Sequence, residues 1–563
     1  MAKMKSSKAP KSKLKAKSAR TPRTAKAKKP NRTAVEKNPE LTELTLALNH
    51  PGLTNFLRAG LGGLAATLRA QAKILNPKAK WPSPFSVADG EATVTSQAIH
   101  LRFGTKGPLK FFEALLKNTF RIEKPGVVYI PGTIEPGTDD VVALQIAQQR
   151  AYKRTFLQHG STTKFTSSEK THQYEIDDKS YRLSLKPYKS FAHQDALELI
   201  AKALTGKTTR MAGWVNPGAS QRHVSFPETI CDYQLVEAIA GIFAMVGCIS
   251  MLGAGSTGLL VIPRPTDLVT FARTRPRLTP RTVKEFTVAG IGDAAMAVLV
   301  AVKFVGNNRY ESGVGELNVS IFRTLAWAKQ QKSRAQTLRI CSPSDDVLDQ
   351  YEHLESVLPS RLVVKSEEAD VDEDGDDFFV ATSALRGFVA ENMANGRRWY
   401  THFSTATVGG KKPRFIHYYR ERDGGHGALY PEEKKGLIAM EQHLENAELA
   451  LVKSVHQALR QRFAQIAEES KDVKATMLNR FDGERDKWRL AFAGSKTADQ
   501  IRTALADLWS RAGSNKELQS SWAIVLPLLR ADRWQSARDL ALIALASYQS
   551  VKNETSTIET DKE

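Results

Sequence analysis

LIAMEQHLENAELALVKSVHQALRQRFAQI, residues 437–466, places Leu437, Met440, Leu444, Ala447, Leu451, Val455, Leu459, Phe463 and Ile466 at steps of three and four. That spacing puts them on one face of one long helix. From about Pro431 onward glycine and proline are rare. Helical spacing returns in Arg485–Phe492, in Ala498–Arg511, in Trp522–Leu529 and in Trp534, Ala537, Leu540, Ala541, Ala544 and Tyr548. Short connections between such helices predict an antiparallel bundle. Upstream the texture differs. Strand-like runs occur at Ile99–Phe103, Val127–Ile130, Leu259–Ile262, Met296–Val305, Asn318–Phe322 and Leu338–Cys341. Gly/Pro turns and helical stretches such as His193–Leu204 separate them. The expected fold class is therefore α+β: a mixed α/β region over 39–428 and a C-terminal all-α helical bundle over 429–563, with the boundary near Gly424–Tyr430. No internal repeat of solenoid length is evident.

The chain has 563 residues, too many for one small core, and its 41% apolar and 25% charged content is that of a globular protein rather than a fibrous or wholly disordered one. Its net charge of +21 calls for an anionic partner or strong solvation. Thirteen of the basic residues, Lys3 to Arg32, lie in a stretch without a single acid, otherwise mostly Ala, Ser, Thr and Pro. Such a composition does not fold alone, so residues 1–38 read as a disordered basic tail. It serves either as a phosphate-binding arm or as a solubilising tail, and it lacks the apolar region of a secretory signal. Cys231, Cys248 and Cys341 are far apart, without zinc or disulfide spacing, which fits a reducing cytoplasm. Ala238–Pro263 is uncharged and long enough to cross a bilayer. The run Gly253–Gly258 cuts it into an apolar helix-length piece and a short β-like piece, each of core size, so no membrane association is expected.

Motifs that invite an enzyme reading fail on context. Gly253, Gly255 and Gly258 satisfy G-x-G-x-x-G, but a helix-like run precedes them and LLVIPRP follows, the reverse of the strand-to-helix order that dinucleotide binding needs. AKALTGKT, residues 201–208, resembles a phosphate-binding loop, yet an amphipathic helix rather than a buried strand leads into it. Asp370, Asp372, Asp374 and Gly375 open like a calcium loop, but Ala381 stands where a bidentate glutamate is needed, and Glu367–Asp377 reads as an exposed acidic loop. His402, His417 and His426 have no metal-ligand spacing. We therefore expect no catalytic residue, no metal and no cofactor.

Nucleic-acid contacts are the better match. KTTRMAGWVNPGASQRH, residues 207–223, combines the cations Lys207, Arg210, Arg222 and His223, the amides Asn216 and Gln221, the flat face of Trp214 and a Pro217-Gly218 turn. Cations engage phosphates, amides and arginine read base edges, and an aromatic wedges a base step; a structural turn with a core tryptophan is the plain alternative. Basic-aromatic mixtures recur in YRLSLKPYKSF (181–191), in FARTRPRLTPR (271–281) and in Arg397–Arg420, which holds Arg397, Arg398, Lys411, Lys412, Arg414 and Arg420. Aromatic faces among cations suit single strands by base stacking.

Three islands add a resemblance: the glycine-dotted HPGLTNFLRAGLGGL (50–64), PGASQRH (217–223) preceded by Trp214, and the closing WQSARDLALIALASY (534–548). Together they resemble the large subunit of the type I CRISPR Cascade, in its Myxan and I-B-like branch. The resemblance implies a non-catalytic prokaryotic cytoplasmic subunit that recognises the protospacer-adjacent motif in target double-stranded DNA, supports R-loop formation with a guide RNA and docks a helicase-nuclease. The other Cascade subunits (backbone, handle-binding and small) are then its partners, and the C-terminal helices correspond to the small subunit's fold. It also implies that Asn216, Gln221, Arg222 and His223 belong to the motif-reading loop. A freestanding single-stranded nucleic-acid or RNA-binding protein without a CRISPR role is the alternative.

Overall fold

The computed structural model describes residues 41–78, 80–82, 84–135, 138–217, 232–254, 257–305, 309–325, 328–340, 343–365, 375–408, 412–413, 431–469 and 474–549. The expected basic tail and the boundary segment 424–430 lie outside them. The helices are α1 (Asn55–Leu75), α2 (Gly107–Thr119), α3 (Val141–Arg154), α4 (Leu197–Leu204), α5 (Leu235–Gly247), α6 (Leu268–Thr274), α7 (Ile291–Val305), α8 (Asp345–Val357), α9 (Ala384–Ala394), α10 (Pro431–Met440), α11 (Asn446–Glu469), α12 (Lys474–Gly494), α13 (Ala498–Ala512), α14 (Lys516–Val525) and α15 (Trp534–Ser547). Mixed α/β structure precedes Pro431, and the described residues from Pro431 onward hold helices and no strand.

The first sheet is antiparallel, in the order Glu43–Ala47, Ala98–Arg102, Gly90–Val94, Phe85–Val87. Its strands alternate: Ile99 and Leu101 point into the core while His100 and Arg102 face out, as expected of a sheet solvated on one side. The second has five strands in the order Thr287–Val288, Ile249–Gly253, Thr257–Pro265, Val314–Leu325, Ala328–Ile340, antiparallel except for its first pair.

The glycines of α1 act by removing side chains. A Cβ on Gly63 would lie 2.3 Å from the Phe243 carbonyl oxygen, and one on Gly247 would lie 1.7 Å from that of Ala59. The backbones of α1 and α5 therefore touch, and the contact offsets the helical cost of about 1 kcal/mol that each glycine carries. The end of α5 is closed by Arg275, 1% exposed, whose Nε and one terminal nitrogen donate to the carbonyls of Val246 (2.6 Å) and Cys248 (2.7 Å). A cation at a helix C-terminus satisfies orphan carbonyls and opposes the dipole, and burial still lowers its pKa to about 10.

Several expectations are corrected. Met296–Val305 is not a strand but the larger part of α7, ten of whose residues are buried. An apolar run without alternation fits either element, and its full length from Ile291 is that of a buried helix. The single helix expected over 437–466 is two helices, broken by a 3-10 turn at Glu441–His443. Glu448 accepts from the Glu445 amide at 3.0 Å and starts α11, while the buried apolar phase runs on through the break, which is why periodicity conceals it. A strand, Ile249–Gly253, precedes Gly255 and another follows, so the glycine run is a hairpin connection rather than the end of a helix. The dinucleotide order is still absent, for a different reason. A helix, α4, does lead into AKALTGKT.

The hydrophobic core is not interrupted near residue 429. One continuous cluster runs from Ile249 through α7, α9, Trp399 and Tyr400 to α10, α11, α13 and α15, ending at Tyr548. A second holds the first sheet, α1, α2 and α5, and a third lies under the hairpin Lys170–Leu185. Polar contacts cross the same junction. Glu433 accepts from the Leu385 amide at 3.2 Å, and Asp539 accepts from the amides of His402 (2.8 Å) and Ser404 (3.1 Å). Within the cluster, the buried pair Arg386–Asp293 (2.8 Å) joins α9 to α7, and the Tyr351 hydroxyl donates to the same carboxylate at 2.8 Å.

Candidate nucleic-acid interface

After α4 the chain turns at Gly206 (φ +76°), and Lys207 and Thr208 are exposed. Thr209 and Arg210 then pair antiparallel with Tyr233 and Asp232. That short ladder brings together the two ends of an excursion running from Met211 to Cys231. Along its described arm Met211 and Val215 are buried, and the amides of Val215 and Asn216 donate to the Ala212 carbonyl at 3.0 and 3.2 Å, making one tight turn.

Trp214 is half-buried. Its indole packs edge-on against His193, ring centroids 4.8 Å apart. His193 is fully buried, ringed further by Phe120 (5.0 Å), Phe156 (6.0 Å) and Phe191 (6.2 Å), and among the described residues neither ring nitrogen has a partner. Desolvation lowers its pKa to about 3, so the ring stays neutral and acts as packing for Trp214. The Asn216 side-chain amide donates to the Tyr233 hydroxyl. Trp214 and Asn216 thus anchor the base of the excursion, while Lys207 and Arg210 stand exposed on its flank. Gln221, Arg222 and His223 lie outside the described residues.

The other basic-aromatic mixtures divide by direction. In 181–191, Tyr181, Tyr188 and Phe191 are buried while Arg182, Lys186 and Lys189 are exposed. In 271–281, Phe271 is buried and Arg275 is the helix closure described above, leaving Arg273, Arg277 and Arg281 outside. Arg397 and Arg398 are exposed, but Trp399 and Tyr400 are core residues, and the Tyr400 hydroxyl donates to Glu448 at 2.6 Å. Burial together with the adjoining carboxylate raises the Tyr400 pKa above its ordinary range. Arg398 forms an ion pair with Glu445 and lies 3.7 Å from Glu448. The aromatic rings of these segments that are described are therefore not stacking platforms; the neighbouring cations are what reaches the surface. Lys412 lies in a strand pair of 407–408 with 412–413. Lys411, Arg414, Arg420, His417 and His426 lie outside the described residues, as do Asp370, Asp372 and Asp374. Ala381 ends a strand, Phe378–Ala381, and Asp376 binds Arg150 at 2.5 Å, so the end of the acidic run is held by an ion pair. Among the described residues no group of three or more His, Cys, Asp or Glu side chains is placed to hold a metal ion, and no helix is long and apolar enough to cross a membrane.

The profile of the DevT N-terminal domain matches residues 45–241, and that of the DevT C-terminal domain matches 440–563. The chain is 44% identical over 520 residues to the CRISPR-associated protein Cas8a1/Csx13 of Myxococcus xanthus (strain DK1622), covering 92% of this chain and 90% of that relative. The chain belongs to the Cas8a1/Csx13 family. The segment 207–223 and the glycine-bearing α1 fall in the matched N-terminal domain. The closing helix α15 falls in the matched C-terminal domain, and Arg397 and Arg398 lie between the two. The three islands quoted from the sequence all sit inside matched regions.

Proposed function

We propose that the chain is the non-catalytic large subunit of a type I CRISPR Cascade complex of the Myxan and I-B-like branch, reading the protospacer-adjacent motif of duplex DNA through the segment 207–223. Guide pairing reads the target sequence in RNA-guided systems, which leaves the protein a short motif and backbone shape to recognise. The observation that carries the reading is the division of labour in the excursion: Trp214 and Asn216 fix its base on buried aromatic and hydroxyl groups, while Lys207 and Arg210 are exposed beside it. A rigid base with cations on its flank suits a loop that positions on phosphates and presents Gln221, Arg222 and His223 to base edges. In the same reading Arg397, Lys411, Lys412, Arg414 and Arg420 contact backbone, and the C-terminal helices resemble a small-subunit bundle. Guide RNA, the backbone, handle-binding and small subunits, and a helicase-nuclease are the partners, in a prokaryotic cytoplasm.

The test is an assembled complex with guide RNA, offered duplexes that differ only in the adjacent motif. Gln221→Ala and Arg222→Ala are expected to abolish discrimination between motifs, while neutralising Lys411, Lys412, Arg414 and Arg420 weakens all targets alike and flattens the salt slope. Unchanged discrimination in the first pair overturns the loop assignment. Metal- or ATP-dependent turnover by the purified chain overturns the non-catalytic role.

A further inference from the structure

The packing of α1 against α6 and the 3-10 turn Arg275–Leu278 gathers cations from positions two hundred residues apart in sequence. Arg69 and Lys73 sit one turn apart on α1, and Arg273 and Arg277 come from the opposite side. A terminal nitrogen of Arg69 reaches the Ala272 carbonyl (3.4 Å), and one of Arg273 reaches that of Trp81 (2.7 Å). Both acceptors are neutral and leave the charge uncancelled. Among the described residues one carboxylate is ion-paired with the group, Glu135, 2.9 Å from the Arg277 Nε, while Asp139, Asp140 and Glu175 line the same cavity as Arg277. Arg69 is half-buried, and its buried Nε has no hydrogen-bond partner among the described residues. Lys73 is exposed.

We propose that Arg69, Lys73, Arg273 and Arg277 form a phosphate site for a polynucleotide backbone, made of residues other than those of the segment 207–223. The inference rests on the nucleic-acid reading above. The repulsion within the group is visible in its ionisation. Burial and then the charges of Arg273 and Arg277 lower the Arg69 pKa, and Arg69, then burial, then the same two arginines lower that of Lys73. A folded protein that holds like charges together gains by adding an anion between them. The chemistry is that of phosphate rather than of bases. All four side chains offer donors and no acceptor, and planar guanidinium groups match phosphate oxygens two at a time. The site therefore grips backbone without reading sequence.

The experiment uses the full chain with short labelled single-stranded RNA, single-stranded DNA and duplex DNA, each in several sequences, titrated across a salt series. Lys73→Gln/Arg273→Gln is expected to weaken binding equally for every sequence and to reduce the salt slope by about one for each phosphate-contacting cation removed. The polynucleotide that loses most slope is the one this site holds. Lys516→Gln, exposed at the start of α14, serves as the control and leaves the slope unchanged. Relief of repulsion keeps the thermal midpoint of the double variant at or above that of the parent chain. Should the midpoint fall, Lys73→Gln alone carries the test, because its ammonium holds no other part of the described protein. A parent chain that binds with a steep slope, and a variant that keeps the same slope, overturns this site and leaves the nucleic-acid reading standing. A parent chain that binds none of the three overturns both.

Discussion

His193 sits fully buried among Phe120, Phe156, Phe191 and Trp214, with no hydrogen-bond partner for either ring nitrogen among the described residues. Burial holds its folded-state pKa at about 3, whereas an exposed histidine titrates near 6.5. Between those values the unfolded chain takes a proton that the folded chain refuses. The stability this ring supports is therefore complete above about pH 6.5 and declines as the pH falls toward 3, by up to ~1.4 kcal/mol per unit. His456, half-buried and bonded to the Ala544 carbonyl at 2.9 Å, acts in the same sense down to about 4. We expect His193→Leu to lose ~2 kcal/mol less stability than the parent between about pH 6.5 and 5, read as urea midpoints. Equal losses would mean the ring does not stay neutral in the fold. In the sequence His193 was one more residue of a helical stretch. Its role appears only when Trp214 is brought onto it, because burial is a property of neighbours and not of the residue.

The α1–α5 pair shows at the scale of elements why a glycine is read differently in two helices. At Gly247 a methyl group would meet the Ala59 carbonyl oxygen at 1.7 Å, whereas around Gly483 in α12 nothing lies within 4 Å. Gly247→Ala is therefore expected to destabilise by about 1–3 kcal/mol or more, since backbone must move aside. Gly483→Ala is expected to stabilise by up to ~1 kcal/mol by helix propensity alone. Thermal midpoints moving in opposite directions bear this out, and a common direction refutes it. Glycines inside a helix cost stability unless a neighbour packs closely against them, and the structure supplies that neighbour in α5. The reverse happened at α7, where Val298, Leu299, Val300 and Val302 read as a strand and lie in a helix: burial on all sides removes the alternation that separates the two.

One hydrophobic cluster draws residues from Ile249 through to Tyr548, even though the two family domain profiles leave residues 242–439 between them unmatched. Truncation before Pro431 removes Leu437, Leu451, Leu505 and Leu540 from that cluster and leaves Trp399 and Tyr400 uncovered. We expect the shortened chain to bind a hydrophobic dye and to lose the cooperative denaturant transition of the intact chain; a cooperative transition at an unchanged midpoint would show the core to be divided after all. The amino-acid order by itself determined the α+β class, the helical character of the C-terminal region, the strands at Ile99, Val127 and Asn318 and the surplus of positive charge, since all of these follow from local periodicity and composition. It also carried the likeness to the family in three short islands. Only the tertiary structure decided which arginines are internal ties and which keep their charge toward the surface. Arg275 closes a helix and Arg386 joins α7 to α9, while Arg69, Lys73, Arg273 and Arg277 meet across two hundred residues with Glu135 ion-paired to Arg277. A charge on a chain has no assigned use until folding fixes its distance to every other charge.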